Sequence, residues 1–136
     1  MTAPFTIRMP LRFAHCDPAG IAYYPRYFEI VDAAVEDWTV TAFGVSRAVM
    51  HQDMGWGTPM VDLAASFTAI SRLGDLLDVA IAVAAVGRTS LTLNVEVTCN
   101  SEPRFAARLK MALIDLKAVK AIPWPDDWRN RLEALA

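Results

Sequence analysis

The chain has few of the residues that build cross-linked, metal-bound or membrane-spanning proteins. It contains 2 cysteines and 2 histidines among 136 residues. Two cysteines do not make a disulfide framework, and no second Cys/His cluster adds ligands to His15 and Cys16. The longest uncharged apolar run, residues 79–86, is far shorter than the roughly 20 residues that a membrane helix needs. We therefore expect no disulfide scaffold, no metal site and no membrane span.

A strong charge of either sign is also lacking. The formal net charge is −2, from 13 Lys and Arg against 15 Asp and Glu. Without a basic block or basic residues interleaved with aromatic ones, nucleic acid is not expected as the main partner. The N-terminus shows no basic region followed by an apolar core, so we expect no secretory signal and a cytoplasmic location. A phosphate-bearing small molecule remains compatible, because local Arg and Lys decide its binding.

Apolar residues are abundant instead. They make up 54% of the chain, against a typical value of about 45–50% in soluble domains. A chain of this length fits one domain over residues 1–136 and can bury roughly two thirds of its unfolded surface. The apolar excess leads us to expect surface that meets a partner subunit.

The spacing of the apolar residues predicts an α+β fold. Residues 5–13 alternate, which predicts a half-buried strand, and Pro10 places that strand at a sheet edge or a bulge. Helical spacing from Pro25 onward predicts a long helix that ends at Gly44. Residues 45–52 predict a short second helix, and Pro125 begins a final short helix. Four further extended segments are predicted at residues 59–70, 76–86, 90–98 and 104–116.

The links between these extended segments are short and rich in turn residues. They fall at residues 71–75, 87–89 and 100–103. Short links of this kind predict consecutive antiparallel hairpins. One strand, a long helix and then four strands predict an α+β domain with a single antiparallel sheet of about five strands.

The most distinctive stretch runs from His15 to Tyr27 and reads HCDPAGIAYYPRY. By one interpretation, Asp17 followed by Pro and Gly is ordinary turn chemistry. By the other, Asp17 lies near a helix start whose free N–H groups and dipole suit an oxyanion. Its carboxylate can then attack a polarised carbonyl, or deprotonate water against it. Spacing alone leaves both interpretations open.

This stretch resembles the active-site loop and helix start of the 4-hydroxybenzoyl-CoA thioesterase family, a branch of the hotdog-fold acyl-CoA thioesterases. Weaker similarity continues through residues 32–34, 57–59, 65–67 and 121–123, so that it spans nearly the whole chain. The resemblance implies the hotdog fold, in which an antiparallel sheet wraps around a long central helix. Its most specific part is the run His15-Cys16-Asp17-Pro18-Ala19-Gly20-Ile21, followed by Tyr24-Pro25 and Tyr27.

The resemblance also assigns roles to residues. It implies Asp17 as nucleophile or general base, the backbone N–H of Tyr24 as oxyanion donor, and Gly20 as a residue that shapes the approach. It places Arg88 and Ser90 near the phosphates of coenzyme A, although Arg88 is equally compatible with a solvated turn. The further candidates for substrate binding are His15, Tyr23, Thr58 and Pro59. For His15, an ordinary loop histidine is the competing interpretation.

The implied activity is hydrolysis of an aromatic or short acyl-CoA to a free acid and coenzyme A. No metal or redox cofactor is implied, because coenzyme A is part of the substrate. A homodimer, further assembled into a homotetramer, is implied, with sites built between protomers. Two alternatives stay open, namely a thioesterase for acyl carrier protein and a non-catalytic protein that binds acyl-CoA.

Overall fold

A computed structural model describes residues 4–136 of the chain. Its helices are α1 (Tyr24–Phe43), α2 (Arg47–Gln52) and α3 (Asp126–Leu135), and a 3₁₀ turn spans Phe13–His15. Its strands are β1 (Phe5–Pro10), β2 (Trp56–Gly57), β3 (Met60–Phe67), β4 (Leu76–Val86), β5 (Ser90–Cys99), β6 (Glu102–Ala112), β7 (Ile114–Asp115) and β8 (Lys120–Ala121).

The long helix α1 confirms the prediction from apolar spacing. Pro25 lies in its first turn, where a missing N–H breaks no helical hydrogen bond. Gly44 ends it with a φ of 75°, and its N–H donates to the carbonyl of Val40 over 2.9 Å. The left-handed conformation at this position favours glycine. The buried stripe faces the sheet and comprises Tyr27, Ile30, Val31, Ala34, Val35, Trp38, Thr39, Ala42 and Phe43.

A five-stranded antiparallel sheet packs against α1 in the order β1-β4-β5-β6-β3. The apolar residues of β4, β5 and β6 alternate and are buried against the helix, as in Val79, Leu93 and Leu109. This arrangement confirms the α+β class and the wrapped helix that the resemblance implies. The hairpins β4–β5 and β5–β6 are also confirmed.

The predicted hairpin through residues 71–75 is wrong. β3 pairs with β6 instead of β4, at the far edge of the sheet. Between these strands the chain runs past the start of α1, where the N–H of Ala22 donates to the carbonyl of Ser71 over 2.9 Å. The N–H of Leu11 likewise donates to the carbonyl of Asp75 over 2.8 Å. These contacts hold the link in a path that crosses the end of the sheet, so that β4 does not return alongside β3.

The remaining differences concern short elements. β1 lies at a sheet edge as predicted but ends at Pro10, and the 3₁₀ turn replaces the rest of the predicted strand. A small sheet in the order β2-β7-β8 was not predicted, because two-residue strands carry no periodicity. α3 begins after Pro125 as predicted, and its Trp128 stacks on Phe43 at 4.3 Å between ring centroids.

Strand β3 is the least buried strand of the large sheet. Seven of its eight residues are exposed, on both faces of the strand. The exposed residues include the acidic Asp62 and four large apolar ones, Met60, Val61, Leu63 and Phe67. Alternation alone did not predict this, since both faces of the strand carry apolar side chains. Within residues 4–136, no helix combines the length and apolarity that crossing a membrane requires.

Candidate active site

The loop that holds Asp17 is a tight antiparallel turn between β1 and α1. Cys16 pairs with Ala22 as an isolated bridge, and the N–H of Asp17 donates to the carbonyl of Ile21 over 2.9 Å. The N–H of Gly20 donates back to the carbonyl of Asp17 over 2.9 Å. Gly20 has a φ of 78°, in the left-handed region that side chains disfavour. Glycine therefore suits this position of the turn, and its role in shaping the approach of the substrate stays a prediction.

The Asp17 side chain serves the turn with one oxygen only. Its Oδ1 accepts hydrogen bonds from the N–H of Ala19 over 2.8 Å and from that of Ile21 over 3.4 Å. Within residues 4–136, its Oδ2 accepts none. The carboxylate is half-buried and therefore held in place while one oxygen stays available. The turn interpretation and the catalytic interpretation of Asp17 are compatible with each other.

The start of α1 presents a free backbone donor beside this loop. The N–H of Tyr24 has no hydrogen-bond acceptor in the described part of the chain, as expected for the first residue of a helix. The N–H of Tyr23 donates to the carbonyl of His15 over 2.9 Å, which ties the helix start to the Asp17 loop. A free N–H at the positive end of a 20-residue helix suits a developing oxyanion.

His15 plays a local part in this loop. Its Nδ1 accepts a hydrogen bond from the N–H of Arg12 over 3.0 Å, so the proton of the neutral ring is assigned to Nε2. Partial burial lowers the pKa of His15, and the charges of Arg12 and Arg26 lower it further against the opposing effect of Glu29. Within residues 4–136, no group of three or more His, Cys, Asp or Glu side chains lies close enough to hold a metal ion.

An apolar cavity of about 390 Å³ opens beside the helix start. Phe67, at the end of β3, packs edge-on against Tyr24 and Tyr27 at centroid distances of 6.0 and 5.8 Å. Sequence reasoning did not select Phe67, although its position at the end of an apolar strand was visible. Tyr23, a predicted binding residue, is exposed and packs against Tyr24 rather than lining the cavity. The lining residues are Ile21, Ala22, Tyr24, Tyr27, Phe67, Thr68, Ala69 and Ile70.

The other predicted binding residues form a second group near the β4–β5 turn. The N–H of Ala112 donates to the carbonyl of Pro59 over 3.2 Å, and Ala112 pairs with Ser90. Arg88 is exposed in the turn, and its carbonyl accepts from the N–H of Trp124 over 3.1 Å. A cavity of about 310 Å³ adjoins this group. Its lining includes Thr58 and Pro59, and also Asp32, Arg47, His51, Gly57, Met60, Met111, Ile114 and Leu116.

Within one protomer, the two groups lie at opposite ends of strand β4. The Asp17 loop contacts the segment just before β4, through the bridge between Ile21 and Arg72, whereas Arg88 follows the end of β4. An 11-residue strand separates them, which is roughly 35 Å at about 3.3 Å per residue. The structure therefore brings Asp17, Gly20, Tyr24, His15 and Tyr23 together, but not with the second group, Thr58, Pro59, Arg88 and Ser90.

Comparison with known sequences shows which family and which proteins the chain resembles. The family model described as the thioesterase-like superfamily matches residues 11–132. The chain is 31% identical over 88 residues to the 4-hydroxybenzoyl-CoA thioesterase of Pseudomonas sp. strain CBS-3, a match that covers 58% of this chain and 57% of that enzyme. It is 22% identical over 135 residues to the 1,4-dihydroxy-2-naphthoyl-CoA hydrolase of Synechococcus elongatus, covering 98% of each protein.

Comparison with solved structures supports the same fold. The structure of the Pseudomonas 4-hydroxybenzoyl-CoA thioesterase superimposes with a TM-score of 0.85 at 24% identity, covering 96% of this chain and 99% of that one. At this identity the likeness shows the fold alone. The helix wrapped by five antiparallel strands is accordingly the hotdog fold.

Proposed function

The chain belongs to the thioesterase-like superfamily, and from that premise we propose that it hydrolyses acyl-CoA thioesters with an aromatic acyl group. One observation carries the proposal. The free Oδ2 of Asp17 and the free N–H of Tyr24 belong to one loop and helix start, joined by the hydrogen bond from Tyr23 to His15. A carboxylate close to an unpaired helix N–H supplies a nucleophile or base together with an oxyanion donor, which suits acyl transfer.

The proposed chemistry follows from these two groups. The thioester carbonyl oxygen accepts a hydrogen bond from the N–H of Tyr24, which stabilises the negative charge that develops on addition. Asp17 then adds to the carbonyl carbon and expels the coenzyme A thiolate, leaving an anhydride that water hydrolyses. Alternatively, Asp17 removes a proton from the water that attacks. Both routes release one acid and one thiol and need no further cofactor.

The aromatic class is supported from two sides. The similar proteins are named for 4-hydroxybenzoyl-CoA and 1,4-dihydroxy-2-naphthoyl-CoA, and both of those acyl groups are hydroxylated aromatic rings. In this chain, the cavity beside the helix start carries Tyr24, Tyr27 and Phe67. Such rings pack favourably against an aryl group in offset or edge-on geometry.

A second copy of the chain is part of the proposal. Asp17 and Arg88 lie too far apart in one chain to contact the same coenzyme A thioester. The exposed, apolar strand β3 at the sheet edge is a surface on which another copy can pair. When two β3 strands pair antiparallel, a twofold axis relates the protomers, and the strands of one sheet run opposite to those of the other. This pairing thereby brings the Asp17 end of one protomer toward the Arg88 end of the other. The sheet edge supports the dimer, whereas the homotetramer remains an expectation from the resemblance.

The test is release of free thiol from a panel of hydroxyaryl-, short-chain and long-chain acyl-CoAs, with wild type and Asp17→Asn compared. We expect the hydroxyaryl thioesters to turn over fastest. Asp17→Asn should lower kcat by about 10²- to 10⁴-fold, the usual contribution of a positioned acid or base. Because an asparagine oxygen can still accept from the N–H of Ala19, the loop and the thermal midpoint should be retained.

Asp53→Asn is the matched control, since Asp53 is an exposed acid at the end of α2. It should leave kcat unchanged. Equal rates for wild type and Asp17→Asn would remove Asp17 from the chemistry. Faster turnover of acyl carrier protein thioesters would favour the carrier-protein alternative, and binding of acyl-CoA without turnover would favour the binding protein.

A further inference from the structure

The link between β3 and β4 supports the candidate active site through hydrogen bonds to the Asp17 loop. We call residues 68–75 the bracing segment. Its Ser71 carbonyl accepts from the N–H of Ala22, and the N–H of its Leu73 donates to the carbonyl of Gly20 over 3.0 Å. Ala22 and Gly20 lie on either side of Ile21, whose N–H and carbonyl bind Asp17. The position of the Asp17 loop therefore depends on where the bracing segment lies.

Arg104 holds the bracing segment against β6. Its guanidinium is largely buried, and Nη1 donates to Asp75 Oδ2 over 2.7 Å, to the Ile70 carbonyl over 3.0 Å and to Ser71 Oγ over 3.2 Å. Nε donates to Glu102 over 2.6 Å, so the head group is oriented from both sides. One side chain of the sheet thus binds three successive parts of the segment.

Ser71 connects the same segment to the first turn of α1. Its Oγ accepts from the hydroxyl of Tyr27 over 2.7 Å, and only 1% of Ser71 is exposed. Tyr27 is itself fixed by stacking on Phe105, with ring centroids 4.8 Å apart and planes 3° from parallel. Tyr27 lies one helical turn past Tyr24, whose N–H is the proposed oxyanion donor.

We propose that Arg104 and Ser71 are positioning residues, which set the distance between the Asp17 loop and the first turn of α1. The inference rests on the proposed thioesterase function. Ser71 binds the loop through its carbonyl and the helix through its hydroxyl, while Arg104 fixes the segment that carries both. A misplacement of about 1 Å between reacting groups can cost about 100-fold in rate. Neither Ser71 nor Arg104 is among the residues that line the cavity beside the helix start, so we expect neither to touch the substrate.

The test measures kcat and KM for Ser71→Ala, Tyr27→Phe and Arg104→Lys with the best hydroxyaryl-CoA. Each variant removes hydrogen bonds while keeping nearly the same volume or charge. We expect kcat to fall about tenfold or more while KM stays within about twofold, the pattern of an interaction that matters in the transition state. Arg108→Met is the control, since Arg108 lies on the same strand and is exposed.

A combined variant separates positioning from general loss of stability. Adding Ser71→Ala to Asp17→Asn should lower the residual rate no further, because residues that act as a unit are non-additive. The amides of Ala22 and Leu73 should exchange with solvent faster in Ser71→Ala, while those of the α1 centre should not change.

The outcomes distinguish this inference from the function on which it rests. An active, Asp17-dependent wild type whose kcat is insensitive to all three variants would overturn the positioning role alone. A fully additive loss of kcat in the combined variant would also overturn the positioning role, because it would indicate an effect that is independent of Asp17. A wild type without thioesterase turnover would overturn the proposed function and this inference together.

Discussion

His15 holds the turn before Asp17 only while its ring is neutral. Its Nδ1 accepts from the N–H of Arg12, and a protonated imidazole has no lone pair for that bond. The burial that disfavours the charged ring lowers its folded-state pKa below the ordinary value of 6.5. Between these two pKa values the unfolded chain binds the proton more readily than the folded one. The contribution of His15 to stability is therefore complete above 6.5 and is lost as the pH falls toward the lower, folded-state pKa.

We expect His15→Asn to reduce the pH dependence of the free energy of unfolding. The asparagine oxygen can accept from Arg12 but does not titrate in this range. Urea unfolding at about pH 8 and about pH 5 should show that wild type loses more free energy of unfolding on acidification than the variant does. His51→Asn serves as the control, since His51 is exposed and lies on a different element, α2. If wild type and His15→Asn lose the same free energy of unfolding on acidification, the hydrogen bond between His15 and Arg12 does not contribute to the pH dependence of stability.

Individual residues were predictable from the sequence where their partners are close in the chain. Turn chemistry indicated Asp17 and Gly20, and the helix start after them indicated free N–H groups, because all of these lie in one short stretch. The resemblance then singled out Tyr24 as the oxyanion donor. Ser71 and Arg104 were not predicted, because Ser71 bonds Tyr27 across 44 residues and Arg104 bonds Asp75 across 29. No local pattern reports a hydrogen bond between such distant residues.

Helix α3 fixes the turn that carries Arg88. The guanidinium of Arg129 donates from Nη2 to the carbonyl of Gly87 over 2.7 Å and to that of Arg88 over 3.3 Å. Just before the helix, the indole N–H of Trp124 donates to the carbonyl of Ser90 over 3.0 Å. The turn is thus anchored by its backbone, while the Arg88 side chain is exposed. Its contact with a phosphate stays a prediction.

Arg129→Met should therefore weaken substrate binding without slowing the chemical step. Freeing the turn carbonyls makes the turn more mobile, so we expect KM for the acyl-CoA to rise by about three- to tenfold with kcat nearly unchanged. The acyl-pantetheine analogue, which lacks the nucleotide phosphates, should show no such change in KM. Arg131→Met, on the same helix and with the same loss of charge, is the control. A KM increase that is equal for both substrates would argue against a phosphate contact at this turn.

Elements were predictable where periodicity is long and misread where topology decides. α1 spans 20 residues, β5 spans 10 and β6 spans 11, and elements of this length show enough of their apolar pattern to fix their type. The partner of β3 was misassigned, because a short, turn-rich link is equally compatible with a hairpin and with a crossing past the helix start. Strands of two residues, such as β2 and β8, have no period to detect.

At the level of the assembled protein, the proposed site needs two chains if Asp17 and Arg88 are to contact one substrate molecule. The sheet places the two groups at opposite ends of β4, and the exposed strand β3 lies at the free edge between β6 and solvent. If two chains pair along β3, each site takes Asp17 from one protomer and Arg88 from the other. The twofold axis gives every homodimer two such sites.

Mixed dimers test this arrangement directly. We expect Asp17→Asn and Arg88→Met homodimers each to have a low kcat/KM, because the first loses the proposed catalytic carboxylate and the second the proposed phosphate contact. In a heterodimer of the two, purified through different tags after co-expression, one site receives both altered residues and the other receives neither. Its kcat/KM should recover to about half of the wild-type value per dimer, because the twofold symmetry leaves one of two sites intact. If both residues served the same site from one chain, each site in the heterodimer would carry one alteration and no recovery would occur. Leu63→Asp in β3 should convert the homodimer to a monomer, as measured by light scattering, and should abolish the recovery of kcat/KM. Val119→Asp is the control, because Val119 lies in the exposed loop between β7 and β8. It should change neither the dimer nor the recovery.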